Sequence, residues 1–443
     1  MLWFSGILMY NFSILFILVF FLASCSSVPK KQPLLFNQAT INALVAADDF
    51  QQAAQVFKEG QEMYGPKSKL LYLFDRAYVA HLNKEYKESI RYFTFAEYKI
   101  DELYTKSISN ILSTWILNDI NAPYRGEEFE HTLINIFQAL NYLSLDDVSE
   151  ALVEARSLDR KMNLLKQLHP DEKNVYREDA FGRLLAGILY ESTNRRQDLN
   201  DAIISYKKAL TAYESPFYQD MHPPPLILKE NLKAAAEKFD RGIDEKQNMA
   251  EVYLIHSNGL GAIKYPVDIS FPTPDGYLMQ IAFPEYNERF YEIKDSQLAA
   301  VSVKNKKFQA KTELGVNLVA VAKKSFTAKK NWFIAKGIVR PLGKYALERT
   351  LEEKAREEHG RGAAYAVKGV SSLYNLFSEQ ADLRSWQTLP AEIRIGRLIL
   401  PPGSYTLNVS FLGENNKILG TGSLGEVTLK EGEKRFFNVR SVH

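Results

Sequence analysis

The chain has 443 residues, which is enough for two or three domains of ordinary size. Hydrophobic residues make up 46% of it and charged residues 24%, a composition that argues against wholesale disorder. The 55 basic and 53 acidic side chains nearly cancel, so the net charge gives no reason to expect a nucleic acid as a partner. The single cysteine, Cys25, excludes an intramolecular disulfide.

The N-terminal residues predict a secretion signal. Residues 2–23 carry no charge, and an apolar run at residues 14–22 leads into Leu-Ala-Ser-Cys at residues 22–25. These four residues resemble the lipobox of bacterial lipoproteins. The resemblance implies that residues 1–24 are a signal peptide, that the thiol of Cys25 is lipidated, and that residues 25–35 form a tether. An uncleaved membrane anchor is the alternative, because the apolar run is nearly long enough to span a bilayer.

The destination follows from the residue after the cysteine. Ser26 stands where lipoproteins retained in the inner membrane of enteric bacteria carry Asp. The resemblance therefore implies a lipid-anchored protein of the outer membrane that faces the periplasm. The inner membrane and the cell surface stay as alternatives.

Residues 36–245 predict successive helices that contain an internal repeat. Four segments place a large residue at the start of a helix and then small and large residues at a common spacing of 3, 4 and 3. The four sets are Phe50, Ala53, Phe57, Gly60; Tyr86, Ser89, Phe93, Ala96; Val148, Ala151, Ala155, Leu158; and Leu199, Ala202, Tyr206, Ala209. Small side chains allow two helices to approach closely. With matching first helices at 73–81, 136–143 and 184–190, the segments resemble tetratricopeptide repeats, which implies an α-solenoid of helical hairpins.

The repeat also predicts a binding surface. Its register places Phe74, Tyr78 and His81 on the concave face, where such arrays usually bind a peptide segment or another domain. These three residues are the candidate protein-binding groove. The alternative is that they pack against a neighbouring helix or the C-terminal domain. An amphipathic helix at residues 227–242 is expected to cap the array.

From residue 246 the pattern changes to short β-branched runs between Pro- and Gly-rich turns. Strands are predicted at residues 251–256, 277–283, 299–303, 392–400, 405–412, 423–429 and 435–439. Their spacing predicts a β-sandwich-like domain over residues 246–443. Residues 313–378 are predicted to be a helical insertion in it. The predicted fold class is therefore α+β multidomain, with an α-solenoid followed by a β-sandwich-like domain.

One segment connects the β domain to a family. Residues 383–390, Leu-Arg-Ser-Trp-Gln-Thr-Leu-Pro, together with Ile393, Arg397 and residues 400–405, resemble a family of little-characterised bacterial lipoproteins. That family joins a tetratricopeptide-like region to a C-terminal β domain, and the resemblance implies a cell-envelope role without an established activity. The candidate motif residues are Arg384, Trp386, Pro390, Gly403 and Tyr405. Two interpretations of Arg384 and Trp386 stay open: a stacked pair that pins the helical insertion onto the sandwich, or direct contact with a ligand.

No local motif predicts catalysis. The seven histidines are scattered, and none has a second His or Cys at metal-ligand spacing. There is no Gly-Lys-Ser/Thr phosphate loop and no nucleophile elbow. We therefore expect no enzymatic activity, no metal and no cofactor.

Three hypotheses about function follow, of which the last is that the domains simply pack together as a structural spacer. The first is a non-enzymatic scaffold, or an assembly or activator factor, that is anchored in the membrane by its lipid and binds an envelope protein. The second is a protein that binds or modifies peptidoglycan or another carbohydrate through its β domain. A planar row of exposed Trp and Tyr on that domain would favour the second hypothesis, and an aromatic-lined groove in the array would favour the first.

Overall fold

The computed structural model describes residues 33–59, 64–107, 122–168, 175–241, 249–273, 278–378 and 380–442. The fold is mixed α/β, with helices in the N-terminal part and β sheets in the C-terminal part. Cys25 and the predicted signal peptide lie outside the described residues. The first helix begins at Pro33, so the last three residues of the predicted tether are helical.

Successive helices of the N-terminal part pack against one another along the chain. Within the described residues they are α1 (Pro33–Ala46), α2 (Phe50–Glu59), α3 (Lys69–Leu82), α4 (Tyr86–Ser107), α5 (Glu128–Ser144), α6 (Val148–Leu168), α7 (Ala180–Ser192), α8 (Arg196–Tyr213) and α9 (Leu226–Arg241). Three of them, α2, α4 and α6, begin at the first residue of a predicted repeat. The helix α9 coincides with the predicted capping helix.

The turns between paired helices repeat one backbone geometry. A residue with positive φ stands two positions before α2, α4, α6 and α8, namely Asp48, Lys84, Asp146 and Asn194. In the first three turns the next amide donates to the carbonyl five residues earlier, at 2.9 Å in each case. Because L-residues rarely adopt positive φ, its recurrence at one position shows that the hairpins share a turn.

Small residues of the repeat lie where helices approach closely. Gly187 on α7 faces the ring of Tyr206 on α8, and a Cβ at Gly187 would stand 2.3 Å from a ring carbon. In α3 and α4 the hydroxyl of Ser89 donates to the carbonyl of Ala77 at 2.7 Å. The paired helices therefore approach closely at these positions.

The C-terminal part contains two four-stranded sheets and a separate hairpin. Its strands are β1 (Ala250–Asn258), β2 (Ile263–Pro272), β3 (Leu278–Asn287), β4 (Asp295–Ser302), β5 (Lys307–Lys311), β6 (Glu313–Asn317), β7 (Glu392–Leu400), β8 (Gly403–Leu412), β9 (Ile418–Leu429) and β10 (Lys434–Ser441). The first sheet has the order β10-β1-β7-β6, with β1 and β10 parallel, and the second has the order β5-β4-β8-β9. The strands β2 and β3 pair with each other. Each of the seven predicted strands overlaps an observed one, whereas β2, β5 and β6 were not predicted.

Two helices follow β6: α10 (Leu318–His359) and α11 (Arg361–Ser378). The predicted helical insertion began at residue 313, and this boundary was wrong, because Glu313–Asn317 pair with β7. Val316, which is buried there, is opposite Ile393 in the sheet. Helix α10 packs on the hairpin, where the rings of Phe326 and Tyr286 meet edge to face with centroids 6.1 Å apart.

The first sheet is covered on both faces. Along β1, Tyr253 and Ile255 belong to the apolar cluster that includes the helices. Val252 and Leu254 alternate with them and belong to a cluster shared with the second sheet. Such double coverage explains why β1 is buried along nearly its whole length. The helical and β parts therefore share one core.

Candidate functional site

The predicted protein-binding groove is filled by the chain itself. Phe74 and Tyr78 on α3 are fully buried, and His81 is nearly so. The indole of Trp386 stacks on Phe74 with ring centroids 4.6 Å apart and meets Tyr78 edge to face at 6.1 Å. These residues therefore do not form an open groove, because the segment at residues 380–391, the docking segment below, occupies that face of α3.

Buried hydrogen bonds hold the docking segment in place. The amide of Trp386 donates to Oε1 of Glu130 at 2.9 Å, and its indole donates to the hydroxyl of Thr388 at 3.0 Å. The Thr388 hydroxyl in turn donates to Oδ1 of Asp75 at 2.8 Å. The other carboxyl oxygen of Asp75 accepts from the Tyr64 hydroxyl at 3.0 Å. Contacts of this kind satisfy polar groups that would be costly to bury alone.

Arg384 also binds the helical part, but not as predicted. Its guanidinium pairs with the carboxylate of Asp382 at 2.6 Å and donates to the carbonyls of Lys67 and Ala122 at 3.2 and 3.1 Å. The aromatic ring beneath it is that of Tyr124, at 5.6 Å, rather than that of Trp386. The expected Arg384–Trp386 stack was wrong, because each side chain binds a different part of the helical region.

The other motif residues shape the β part. Pro390 is buried where the docking segment enters β7. Gly403 opens β8 with φ of +151°, a value that favours glycine. Two residues later the hydroxyl of Tyr405 donates to the carbonyl of Pro401 at 2.8 Å, which ties β8 to the turn before it. None of these contacts points to a ligand.

Burial shifts the pKa values of carboxyl groups that lie near the docking segment. It raises the pKa of Asp75 to about 7, although hydrogen bonds from Thr388 and Tyr64 oppose the effect. Burial and the nearby charge of Glu127 raise the pKa of Glu130. Burial would also raise the pKa of Glu127, but Lys329 and Lys264 outweigh it and hold that pKa at about 2. Both ammonium groups lie 3.2 Å from the Glu127 carboxylate.

An open cavity lies on the opposite side of α3. It has a volume of about 500 Å³ and is bounded by α3 and α4; we call it the α3–α4 groove. Its lining includes Lys69, Tyr72, Arg76, Tyr92, Phe95 and Tyr98. At 100° per residue, positions 69, 72 and 76 fall on the helical face away from positions 74 and 78. One face of α3 therefore binds the docking segment, while the other borders the α3–α4 groove, where Lys69 and Arg76 are partly exposed.

The α3–α4 groove combines exposed aromatic rings with positive charge. Phe95 and Tyr98 are 46% and 68% exposed. The guanidinium of Arg76 lies 4.0 Å from the centroid of Tyr92, and the ammonium of Lys69 lies 4.6 Å from that of Tyr72. The sequence analysis missed this groove. The available signal was the spacing of Tyr92, Phe95 and Tyr98, which places three aromatic residues along one side of α4.

No group of three or more His, Cys, Asp or Glu side chains within the described residues is placed to hold a metal ion. Burial lowers the pKa of His81 and His131 to about 4 and that of His256 to about 3. These imidazoles are therefore neutral at pH 7.

Comparison with known proteins gives no relative. No family model, no curated protein and no solved structure matches the chain. Among the helices of the described ranges, none combines the length and the hydropathy that a membrane span requires.

Proposed function

We propose that this chain is a lipid-anchored protein of the bacterial cell envelope that acts as a non-enzymatic protein-binding scaffold, or as an assembly or activator factor. The lipobox-like residues 22–25 support the anchor, with Cys25 as the lipidated residue, and Ser26 favours the outer membrane with the body in the periplasm. The observation that carries protein binding is the α3–α4 groove, which presents exposed aromatic and cationic side chains. Aromatic residues and Arg are enriched where proteins bind one another.

The finer architecture belongs to the same proposal. We infer that the helical hairpins form a tetratricopeptide-like α-solenoid and that the two four-stranded sheets form a β-sandwich-like unit. The shared turn geometry supports the first inference. The apolar cluster of Leu254, Leu298 and Leu407, which joins the two sheets, supports the second. On this view the β part braces one face of the array and leaves the opposite face of α3 for a partner.

Binding of peptidoglycan or another carbohydrate ranks second. Within the described residues, the exposed aromatic side chains on the strands of the β part and the loops between them are Tyr265, Phe271 and Phe290. They lie on β2 and after β3, whereas a sugar chain stacks best on a flat row across a broad sheet. The distribution of exposed rings therefore favours a protein partner.

The test uses the intact protein in cells. The full chain with a C-terminal affinity tag is crosslinked in the envelope and purified from detergent, and mass spectrometry identifies what it retains. Metabolic labelling with a fatty-acid analogue reports lipidation. The Cys25→Ser variant serves as the matched control, and it should lose both the label and its membrane fractionation.

We expect recovery of one or a few specific envelope proteins with the wild-type chain. Recovery of cell-wall fragments alone would favour the carbohydrate hypothesis instead. Fatty-acid labelling that persists in Cys25→Ser would contradict the proposed anchor.

A further inference from the structure

The α3–α4 groove offers anchors for apolar side chains. Tyr72 and Tyr92 form its wall and are themselves buried, whereas Tyr98 and Phe95 project at its edge. Because these buried rings pack on α3 and α4, they form a preformed surface. Binding a ligand therefore costs no conformational entropy for ordering them. The two exposed rings add apolar area that a bound molecule would remove from water.

The charged side chains of the groove differ in whether they have a partner of opposite charge. Its two nearby carboxylates are already paired, Glu102 with Lys99 at 2.7 Å and Glu88 with Arg91 at 2.6 Å. Lys69 has no acidic partner among the described residues. Burial lowers the pKa of Lys69, and repulsion from the nearby cations Arg76 and Lys99 adds to the effect.

Arg76 is held in a fixed orientation and forms a longer ion pair with Glu88. Its guanidinium lies over Tyr92, donates to the Tyr72 hydroxyl, and stands 3.6 Å from Glu88. Stacking and hydrogen bonding restrict the planar group, so less conformational entropy is lost when a carboxylate binds. The groove thus combines restricted cations with apolar anchors.

We propose that the α3–α4 groove binds an acidic peptide segment of a partner protein, with its carboxylates at Lys69 and Arg76 and an apolar side chain against Tyr98. Charge complementarity selects an acidic segment and disfavours a basic one. The cavity of about 500 Å³ accommodates a few residues of such a segment. This inference rests on the proposed scaffold function and names the chemistry of its partner.

The test measures fluorescence anisotropy with defined probes. The full chain, purified in detergent, is titrated into a fluorescein-labelled nine-residue peptide that repeats Asp-Phe-Glu, and into a control that repeats Lys-Phe-Lys. Two variants alter the groove, Lys69→Glu and Tyr98→Ala. Their matched controls are Lys207→Glu on α8 and Tyr365→Ala on α11, both at exposed positions outside the groove.

We expect saturable binding of the acidic probe only. Lys69→Glu should weaken it by about tenfold or more, and Tyr98→Ala by about fivefold, with neither control variant changing it by more than about twofold. Tyr98 is 68% exposed, so Tyr98→Ala is expected to fold. Peptide binding can therefore be measured for this variant even if Lys69→Glu does not fold. Absence of saturable binding, equal binding of the basic probe, or no effect of either groove variant would overturn the inference.

Three further outcomes distinguish a failure of this inference from a failure of the proposed scaffold function. If an envelope protein is recovered from cells equally well by the wild type and by Lys69→Glu, the scaffold function stands and the groove assignment fails. If the purified chain forms a dimer that Tyr98→Ala dissociates, the occupant is a second copy and the assignment to a partner also fails. Peptide binding without any partner in cells would instead count against the scaffold function alone.

Discussion

The indole of Trp386 lies parallel to the ring of Phe74, with planes inclined by 22° and centroids 4.6 Å apart. The two residues come from opposite ends of the folded chain, one from the docking segment and one from α3. Rings of Phe93 and Phe137 surround the same indole at 5.9 and 6.1 Å. This aromatic cluster is the central apolar contact between the docking segment and the helices.

We expect Trp386→Ala to lower the free energy of unfolding by about 3–5 kcal/mol, because it leaves a cavity among buried rings. Urea denaturation followed by circular dichroism measures the change. Limited proteolysis should also cleave the docking segment faster than in the wild type. Trp386→Phe, which keeps part of the stack, is the control and should lose clearly less stability. A loss below about 1 kcal/mol in the alanine variant would show that the cluster contributes little.

Gly187→Ala tests the close approach of α7 and α8. The added methyl would overlap the ring of Tyr206, so one helix or the ring must shift, and we expect a loss of about 1–3 kcal/mol. The matched control is Gly343→Ala on α10, where a Cβ would meet nothing within 4 Å. That control should be stabilising by about 0.5–1 kcal/mol, because alanine favours a helix. Equal effects of the two changes in thermal denaturation would rule out the close approach.

Asp75 predicts a pH dependence of stability. Its folded pKa of about 7 lies above the unfolded value, so the folded state favours the protonated carboxyl. The stability that the protonated carboxyl of Asp75 contributes is therefore fully present below about pH 4. It is lost as the pH rises through about 7, and the free energy of unfolding falls by up to ~4 kcal/mol. Urea denaturation of the wild type and Asp75→Asn between pH 4 and 8 measures it.

The comparison of the two proteins isolates this group. Glu154, whose pKa burial also raises to about 7, titrates in both proteins and cancels in the difference. We expect the wild type to lose stability relative to Asp75→Asn as the pH rises across this window. Parallel pH profiles would mean that Asp75 titrates normally.

The contacts of Arg384 predict that lysine cannot fully replace arginine at this position. Arg384→Ala removes the buried ion pair with Asp382 and the hydrogen bonds to the carbonyls of Lys67 and Ala122, and we expect a loss of about 3 kcal/mol. Arg384→Lys keeps the charge but cannot reach all three acceptors, so it should recover only part of the loss. Chemical denaturation of the three proteins tests this order. Full recovery by lysine would show that charge alone matters.

Local patterns predicted many elements correctly. The strand β7 was predicted over its full extent, because its apolar residues lie between clear turn signals. The helices α2, α4 and α6 begin at the predicted large residues. The short strand β6 was mistaken for helix, because five residues carry too little periodicity and their structure depends on pairing with β7.

The candidate site was harder to predict. The apolar face of α3 with Phe74 and Tyr78 looks the same in the sequence whether it meets a partner protein or Trp386 of the same chain. The α3–α4 groove went unnoticed because Lys69 and Arg76 on one helix and Tyr98 on the next form a site only when the two helices pair.

The sequence by itself determined the helical hairpins and most of the strands, because side-chain periodicity and turn residues act over a few positions. It also carries the lipobox-like residues around Cys25, whose meaning stays a prediction. The tertiary structure alone decided that the docking segment covers Phe74 and that Lys69 borders the α3–α4 groove. Contacts between residues hundreds of positions apart depend on how whole elements pack, and no local pattern encodes that.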